Sequence, residues 1–111
     1  MINDIKGEKS FDVLADFMEL TFTLADDENV MKFVKRGQSV PEGEDATEWG
    51  IKMVKECIPK MLRDHKDALS SLIAISKNTT KAKYLKDVSP QELWDDVIDL
   101  FNDQTFTGFL A

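Results

Sequence analysis

The chain has one cysteine and one histidine, so any nucleophilic pair of the Cys–His type must use Cys57 and His65. Cys57 lies on an apolar helical face, where a cysteine is usually an inert part of the core. His65 follows eight positions later, and Pro59 lies between the two, so a designed hydrogen bond between them is not expected. The pattern instead predicts a histidine that packs between helices or is half-exposed.

Carboxylates are abundant, but their spacing puts them on solvent-facing stripes. Asp95, Asp96 and Asp99 lie opposite the apolar face of the C-terminal helix, where they lack the desolvation that tunes the pKa of a general acid. One Cys and one His cannot complete a zinc site alone, and the chain contains neither a calcium-binding loop nor a glycine-rich phosphate loop. The sequence therefore predicts no catalytic residue, no metal ligand and no cofactor, and it favours a binding protein over an enzyme.

Large apolar side chains are the remaining candidates for a functional surface, since the chain contains seven Phe, two Trp and five Met. Phe101, Phe106 and Phe109 lie close to the C-terminus, where complete burial is hard to achieve. Two arrangements stay open. Either the last turn folds back and closes the core, or these rings form an apolar patch that binds a partner.

Residues 11–25 form the first helix, with Ser10 as a candidate cap. Its polar positions make one narrow stripe, consisting of Asp12, Asp16, Glu19 and Thr23. Nearly every other position is apolar, so the helix needs cover around most of its circumference. We expect it to be the central helix of a bundle. Partial cover by another protein is the alternative.

Three more helices follow in the middle of the chain. Residues 28–36 form a short helix that ends at Gly37, where a left-handed cap is expected. The next helix begins at Asp45, whose side chain is its cap. Pro59 must kink or break that helix, because proline lacks the amide proton and crowds the preceding turn. A further helix then covers residues 59–77.

The C-terminal part starts with a connection and ends with a well-marked helix. Residues 78–88 form a polar, lysine-rich connection with a turn of helix near Tyr84. Ser89 is the N-cap of the last long helix, which carries the other signs of a helix start as well. Asn102 or Asp103 caps one final short turn.

Length and composition predict one all-α domain over residues 1–111, built as a compact bundle of five or six helices. Residues 1–9 are expected to be a loose lead-in, and the few Pro and Gly leave the rest free to form helices. No stretch approaches the roughly 20 apolar residues of a membrane span. A single cysteine cannot form an internal disulfide, which fits a reducing cytoplasm.

The net charge of −7 is unevenly distributed along the chain. Residues 1–30 carry −6, residues 31–88 carry +4, and residues 89–111 carry −5. This acidic–basic–acidic order opposes general nucleic-acid binding, which needs a dominant basic surface. We therefore expect neither nucleic acid nor a membrane among the partners.

Several segments, taken in order, resemble the tail assembly chaperones of siphophages and prophages of Gram-positive bacteria. They are residues 5–11 (I-K-G-E-K-S-F), 61–69 (M-L-R-D-H-K-D-A-L), 72–75 (L-I-A-I), 89–93 (S-P-Q-E-L) and 103–109 (D-Q-T-F-T-G-F). The resemblance implies a protein that binds the aggregation-prone tape measure protein in the cytoplasm of the bacterial host. It further implies that this protein presents its client to the major tail protein. Family members are often made in two lengths by ribosomal frameshifting, and this chain would match the shorter product.

On this hypothesis the client surface combines the first helix with the C-terminal aromatic residues. The expected partner-binding residues are Phe17, Phe22, Trp94, Phe101, Phe106 and Phe109. Replacing Phe106 and Phe109 with Ser is then expected to weaken client binding and to leave the stability of the fold almost unchanged.

Two other functions remain open at the level of sequence. One is an acidic phage regulatory protein that binds and inhibits a host protein, and its binding would depend strongly on salt. The other is a structural tail or connector component, which would be found in finished particles. The sequence also leaves the oligomeric state open, a homo-oligomer included.

Overall fold

A computed structural model describes residues 5–110 of the chain. In that part the backbone forms seven α-helices and no β-strand: α1 Lys9–Ala25, α2 Glu28–Val34, α3 Ala46–Asp64, α4 Lys66–Ser76, α5 Lys81–Asp87, α6 Pro90–Asn102 and α7 Gln104–Leu110. The all-α class is confirmed. The number of helices exceeds the predicted five or six, because the turn in the connection 78–88 and the final turn are both helices. Of the predicted lead-in, residues 1–4 lie outside the described part, and Lys9 already belongs to α1.

The central helix is α4, which packs against α1, α3, α5 and α6. Its apolar residues Leu69, Leu72 and Ile73 are buried, and so are two serines on the same helix. Ser70 donates a hydrogen bond to the Lys66 carbonyl and Ser76 donates one to the Leu72 carbonyl, so both hydroxyls are satisfied without water. This internal pairing allows a helix with polar residues to be covered on almost every side.

The prediction that α1 is the central helix is wrong. Of its seventeen residues only Phe17, Thr21 and Leu24 are buried, on the face that packs against α4 and α7. The physical reason is the stripe of carboxylates along the helix, because a carboxylate without a partner needs water whereas a serine hydroxyl can bond to the backbone. A helix that carries this stripe has to lie at the surface.

The predicted caps at Ser89 and Asp45 are confirmed. Ser89 accepts a hydrogen bond from the Glu92 amide at the start of α6, and Asp45 accepts two amides at the start of α3. Two other cap predictions are wrong. Ser10 lies inside α1, whose N-cap is Glu8. Gly37 is not left-handed, since α2 already ends at Val34 and the next four residues form turns.

Of the predicted kink or break at Pro59, the break is wrong, because α3 continues through it to Asp64. The predicted helix over residues 59–77 is wrong for the same reason, since its second part is the separate helix α4. Pro59 and Lys55 are both exposed, so water can hydrate the Lys55 carbonyl that loses its amide partner. The interruption comes at His65 instead, whose backbone angles of φ −125° and ψ 33° are not helical. This residue separates α3 from the buried helix α4.

One hydrogen bond joins two of the junctions between helices, the α1–α2 junction and the α3–α4 junction. Asp27 lies between α1 and α2, and its Oδ1 accepts the amides of Asn29 and Val30 at 2.7 and 3.1 Å. Its Oδ2 lies 2.7 Å from Nε2 of His65, the residue between α3 and α4. The His65 hydrogen bond is the main cause of a lowered Asp27 pKa, partial burial opposes it, and the two amides lower the pKa further.

We predict that Asp27→Ala destabilises the fold, because it removes the cap of α2 and the hydrogen bond to His65. Asp26→Ala, at an exposed neighbouring position, should change the free energy of unfolding little. Loss of the cap alone costs about 1 kcal/mol. Because folding lowers the Asp27 pKa, the carboxylate stabilises the protein fully above its unfolded pKa of about 3.9. That stabilisation is lost as the pH falls through the lower pKa that Asp27 has in the folded protein. Urea unfolding from neutral to acidic pH should therefore show a difference between wild type and Asp27→Ala that shrinks below about pH 4. A difference that stays constant with pH would contradict this role.

Candidate functional site

Six phenylalanine rings form a continuous row from the surface of the protein into its core. The row runs Phe22, Phe109, Phe17, Phe106, Phe101 and Phe33. The successive ring centroids are 6.1, 6.4, 6.2, 5.1 and 5.2 Å apart, and most of the pairs meet edge to face. Five of the six predicted site residues therefore belong to one cluster. Trp94 is not part of this phenylalanine row.

Only the outer end of the phenylalanine row is accessible. Phe17, Phe101 and Phe106 are buried, whereas Phe109 is half-buried and Phe22 is 47% exposed. Trp94 is 36% exposed on α6. Of the two open arrangements for the C-terminus, the structure has the one in which the last turn folds back and closes the core.

Asp103 determines this return of the chain. It follows α6 with an extended backbone, and its Oδ1 accepts the amides of Thr105 and Phe106 at 2.8 and 3.2 Å. These bonds start α7, which then packs against α1, α2 and α6 and buries Phe106 and Leu110. The sequence-based expectation that Phe106 can be replaced without loss of stability is therefore wrong, because this ring has no exposed surface.

A second apolar face of α1 stays uncovered, and sequence reasoning did not assign most of it to the site. Phe11 is 81% exposed, Leu14 is 43% exposed, and Met18 is half-exposed. With Phe22 these residues follow a spacing of three, four and four, which aligns them along one side of a helix. We call Phe11, Leu14, Met18 and Phe22 the α1 stripe. Phe109 of α7 extends it, since its ring contacts Phe22.

An acidic edge borders the α1 stripe. It consists of Asp12, Asp16 and Glu19, all exposed, at positions about a third of a turn around the helix from the stripe. None of these three carboxylates takes part in the ion pairs that the structure shows within residues 5–110. The surface thus combines uncovered apolar side chains with exposed negative charges.

Cys57 and His65 do not form the reactive arrangement that a nucleophilic site needs. Cys57 has no exposed surface, and burial raises the pKa of its thiol, which disfavours the thiolate. His65 is half-buried and directs Nε2 to Asp27. Within residues 5–110 there is no group of three or more His, Cys, Asp or Glu side chains arranged to hold a metal ion.

One carboxylate that was expected to face solvent is buried. Asp96 accepts a hydrogen bond of 2.6 Å from the Tyr84 hydroxyl, and its other oxygen lies 3.0 Å from the Lys77 ammonium. Burial raises the pKa of Tyr84, and the bond to Asp96 raises it further. The prediction of a solvent-facing Asp96 is wrong because α5, which sequence reasoning treated mainly as a polar connection, covers it with Tyr84. This cluster joins α4, α5 and α6 and has a structural role.

The fold and the exposed surface define a class, namely a helical protein with an uncovered apolar stripe bordered by acids. Comparison of the chain with protein-family models, with curated proteins and with solved structures finds no match. Among the helices of residues 5–110, none is long and apolar enough to cross a membrane. The surface of α1 and the resemblance described above are therefore the two features that bear on function.

We predict that a buried and an exposed phenylalanine differ in their contribution to stability. Phe106→Ala should lower the free energy of unfolding by about 3–5 kcal/mol, because it opens a cavity between Phe17 and Phe101. Phe11→Ser should change it by no more than about 0.5 kcal/mol, since that side chain is almost fully exposed. Urea unfolding followed by circular dichroism measures both variants. Equal stability of the two variants would show that α7 does not close the core.

Proposed function

We propose that this protein is a tail assembly chaperone of a siphophage or prophage, which binds the tape measure protein through the α1 stripe. It acts in the cytoplasm of the bacterial host, keeps its client soluble and presents it to the major tail protein. The proposal combines the resemblance of the chain to that family with the surface of α1. It keeps Phe22 and Phe109 as partner-binding residues and adds Phe11, Leu14 and Met18.

The exposure of Phe11, Leu14 and Phe22 along one helix is the observation that carries this proposal. Single exposed apolar residues are common on any protein, but a stripe over three turns of one helix is typical of an interaction surface. Binding of an apolar client segment would remove the exposed parts of these side chains from water, and this burial favours the complex.

The buried residues of the predicted site, Phe17, Phe101 and Phe106, pack beneath this surface. Phe17 contacts Phe109 on one side and Phe106 on the other, so the core holds α7 and its outer ring in position beside α1. Phe17, Phe101 and Phe106 therefore contribute to binding by positioning, whereas Phe22 and Phe109 are the members that a client can touch. Trp94 is partly exposed on α6 and is a separate candidate contact.

The acidic character of the protein suits a chaperone that has to stay soluble while it exposes apolar side chains. Net charge keeps protein molecules apart, and the acidic edge lies next to the surface that would otherwise promote self-association. An enzyme function is not part of this proposal, because Cys57 is buried and His65 is engaged with Asp27.

The proposal predicts the result of co-expression with the tape measure protein of the same phage or prophage. The wild-type protein should keep the client soluble and co-purify with it at moderate salt. Substituting Phe11, Leu14 and Phe22 together with Ser should return the client to the insoluble fraction, because the apolar contact is removed. Ile51→Ser and Leu85→Ser, at exposed apolar positions of α3 and α5, form the matched control and should behave like wild type.

Circular dichroism of the triple variant must show an intact fold, since all three side chains are exposed. An insoluble client in the presence of wild-type protein would contradict the chaperone function. A complex with a basic host protein that dissociates as salt is raised would favour the regulatory function instead. Stable presence of the chain in finished particles would favour a structural tail component.

A further inference from the structure

We infer that the partner segment on the α1 stripe is an amphipathic α-helix of about three turns whose apolar face is bordered by Lys or Arg. This inference rests on the proposed function, in that it uses the same stripe, and it specifies the chemistry of the bound segment. It follows from the spacing of the stripe, from the charges beside it and from the residues that flank it.

The spacing of the stripe favours a helix as the bound segment. From Phe11 to Phe22 the stripe covers eleven residue steps, or about 17 Å at 1.5 Å per residue. Its three-, four- and four-residue steps form a ridge of the kind that packs into the groove of another helix. An extended strand would bring unpaired backbone groups to the surface, and residues 5–110 contain no strand edge to receive them.

The charges beside the stripe favour a basic partner. The acidic edge lies along the middle of α1, and the only basic residue of that helix is Lys9 at its start. The Lys9 ammonium is engaged with the Asn78 side chain, and Lys81 of α5, which lines one groove with Asp16 and Glu19, is engaged with Asp67. Lys83 of α5 lines a neighbouring groove with Asp16, so Asp12 and Glu19 are the carboxylates of the edge that a partner would meet first. A partner helix with Lys or Arg beside its apolar face would meet these carboxylates at the rim, where long side chains can keep their charged ends in water.

The same charges disfavour a second copy of this chain as the occupant. Two α1 helices packed along their stripes would bring acidic edges close to each other, and like charges repel. On the other side of the stripe lies α7, which contains no basic residue that could compensate the acids of a second copy. The charges therefore favour a basic partner helix over a second copy of this chain.

A charge-swap experiment tests the inference with two synthetic helical peptides that share one apolar face of Leu and Phe. One peptide has Lys beside that face and the other has Glu. Fluorescence anisotropy should show that wild-type protein binds the Lys peptide at least about tenfold more tightly, a difference of about 1.4 kcal/mol. The variant Asp12→Lys/Glu19→Lys should reverse this preference, and Phe22→Ser should weaken the binding of both peptides.

The control variant Asp95→Lys/Asp99→Lys changes the net charge by the same amount on the exposed face of α6. It should keep the wild-type preference. Equal binding of the two peptides by wild type, or a reversal in the control as large as in the edge variant, would overturn the inference. A dimer of wild-type protein that Phe11→Ser/Leu14→Ser dissociates would overturn it too, in favour of a second copy.

The outcome is separable from that of the proposed function. If the tape measure protein co-purifies equally well with wild type and with Asp12→Lys/Glu19→Lys, while neither peptide is preferred, only the inference about charge fails. If wild type leaves the tape measure protein insoluble but discriminates between the peptides as expected, the proposed client is wrong and the chemistry of the bound helix stands.

Discussion

The arrangement of the protein depends on one packing interaction, the insertion of Phe106 between Phe17 and Phe101. These three rings are buried, and they bring α7, the last helix described, against the first. Helices α4 and α7 together cover the face of α1 that carries Phe17, Thr21 and Leu24. The other faces of α1 stay at the surface. Within residues 5–110 the α1 stripe is only partly covered, and the ring of Phe109 against Phe22 is the aromatic contact made to it.

Two polar interactions keep the short helices in the positions that this core requires. Asp27 caps α2 and bonds to His65, which joins the α1–α2 and α3–α4 junctions. Asp96 receives Tyr84 and Lys77, which joins α5 and the end of α4 to α6. Buried or half-buried carboxylates are tolerated here because each has its hydrogen-bond donors, whereas the carboxylates of the acidic edge stay in water.

Local chemistry made part of this fold predictable from sequence. Ser89, Asp45 and Asp103 cap helices because a side-chain oxygen can reach amides two or three residues ahead, and that depends on neighbours in the chain alone. The failures required knowledge of tertiary packing. The helix tolerates Pro59 because its surroundings are open to water, and Asp96 is buried because a distant tyrosine covers it.

The site was predictable in outline, since the first helix and the C-terminal aromatic residues do lie together. Sequence periodicity could show that α1 is apolar on nearly every side, but not which side α4 and α7 would cover. For that reason Phe17 and Phe106 were assigned to a partner surface although they belong to the core. For the same reason, the exposed Phe11 and Leu14 were not assigned to it.

Hydroxyl-radical footprinting of the protein, alone and bound to the tape measure protein, tests the central claim most directly, because it reports the accessibility of individual side chains. In the free protein Phe11, Met18 and Phe22 should be labelled and Phe106 should not. In the complex, labelling of the first three should fall, while Ile51 on α3 should be labelled as before. An α1 stripe that remains fully labelled in the complex, with protection at another surface, would contradict the claim.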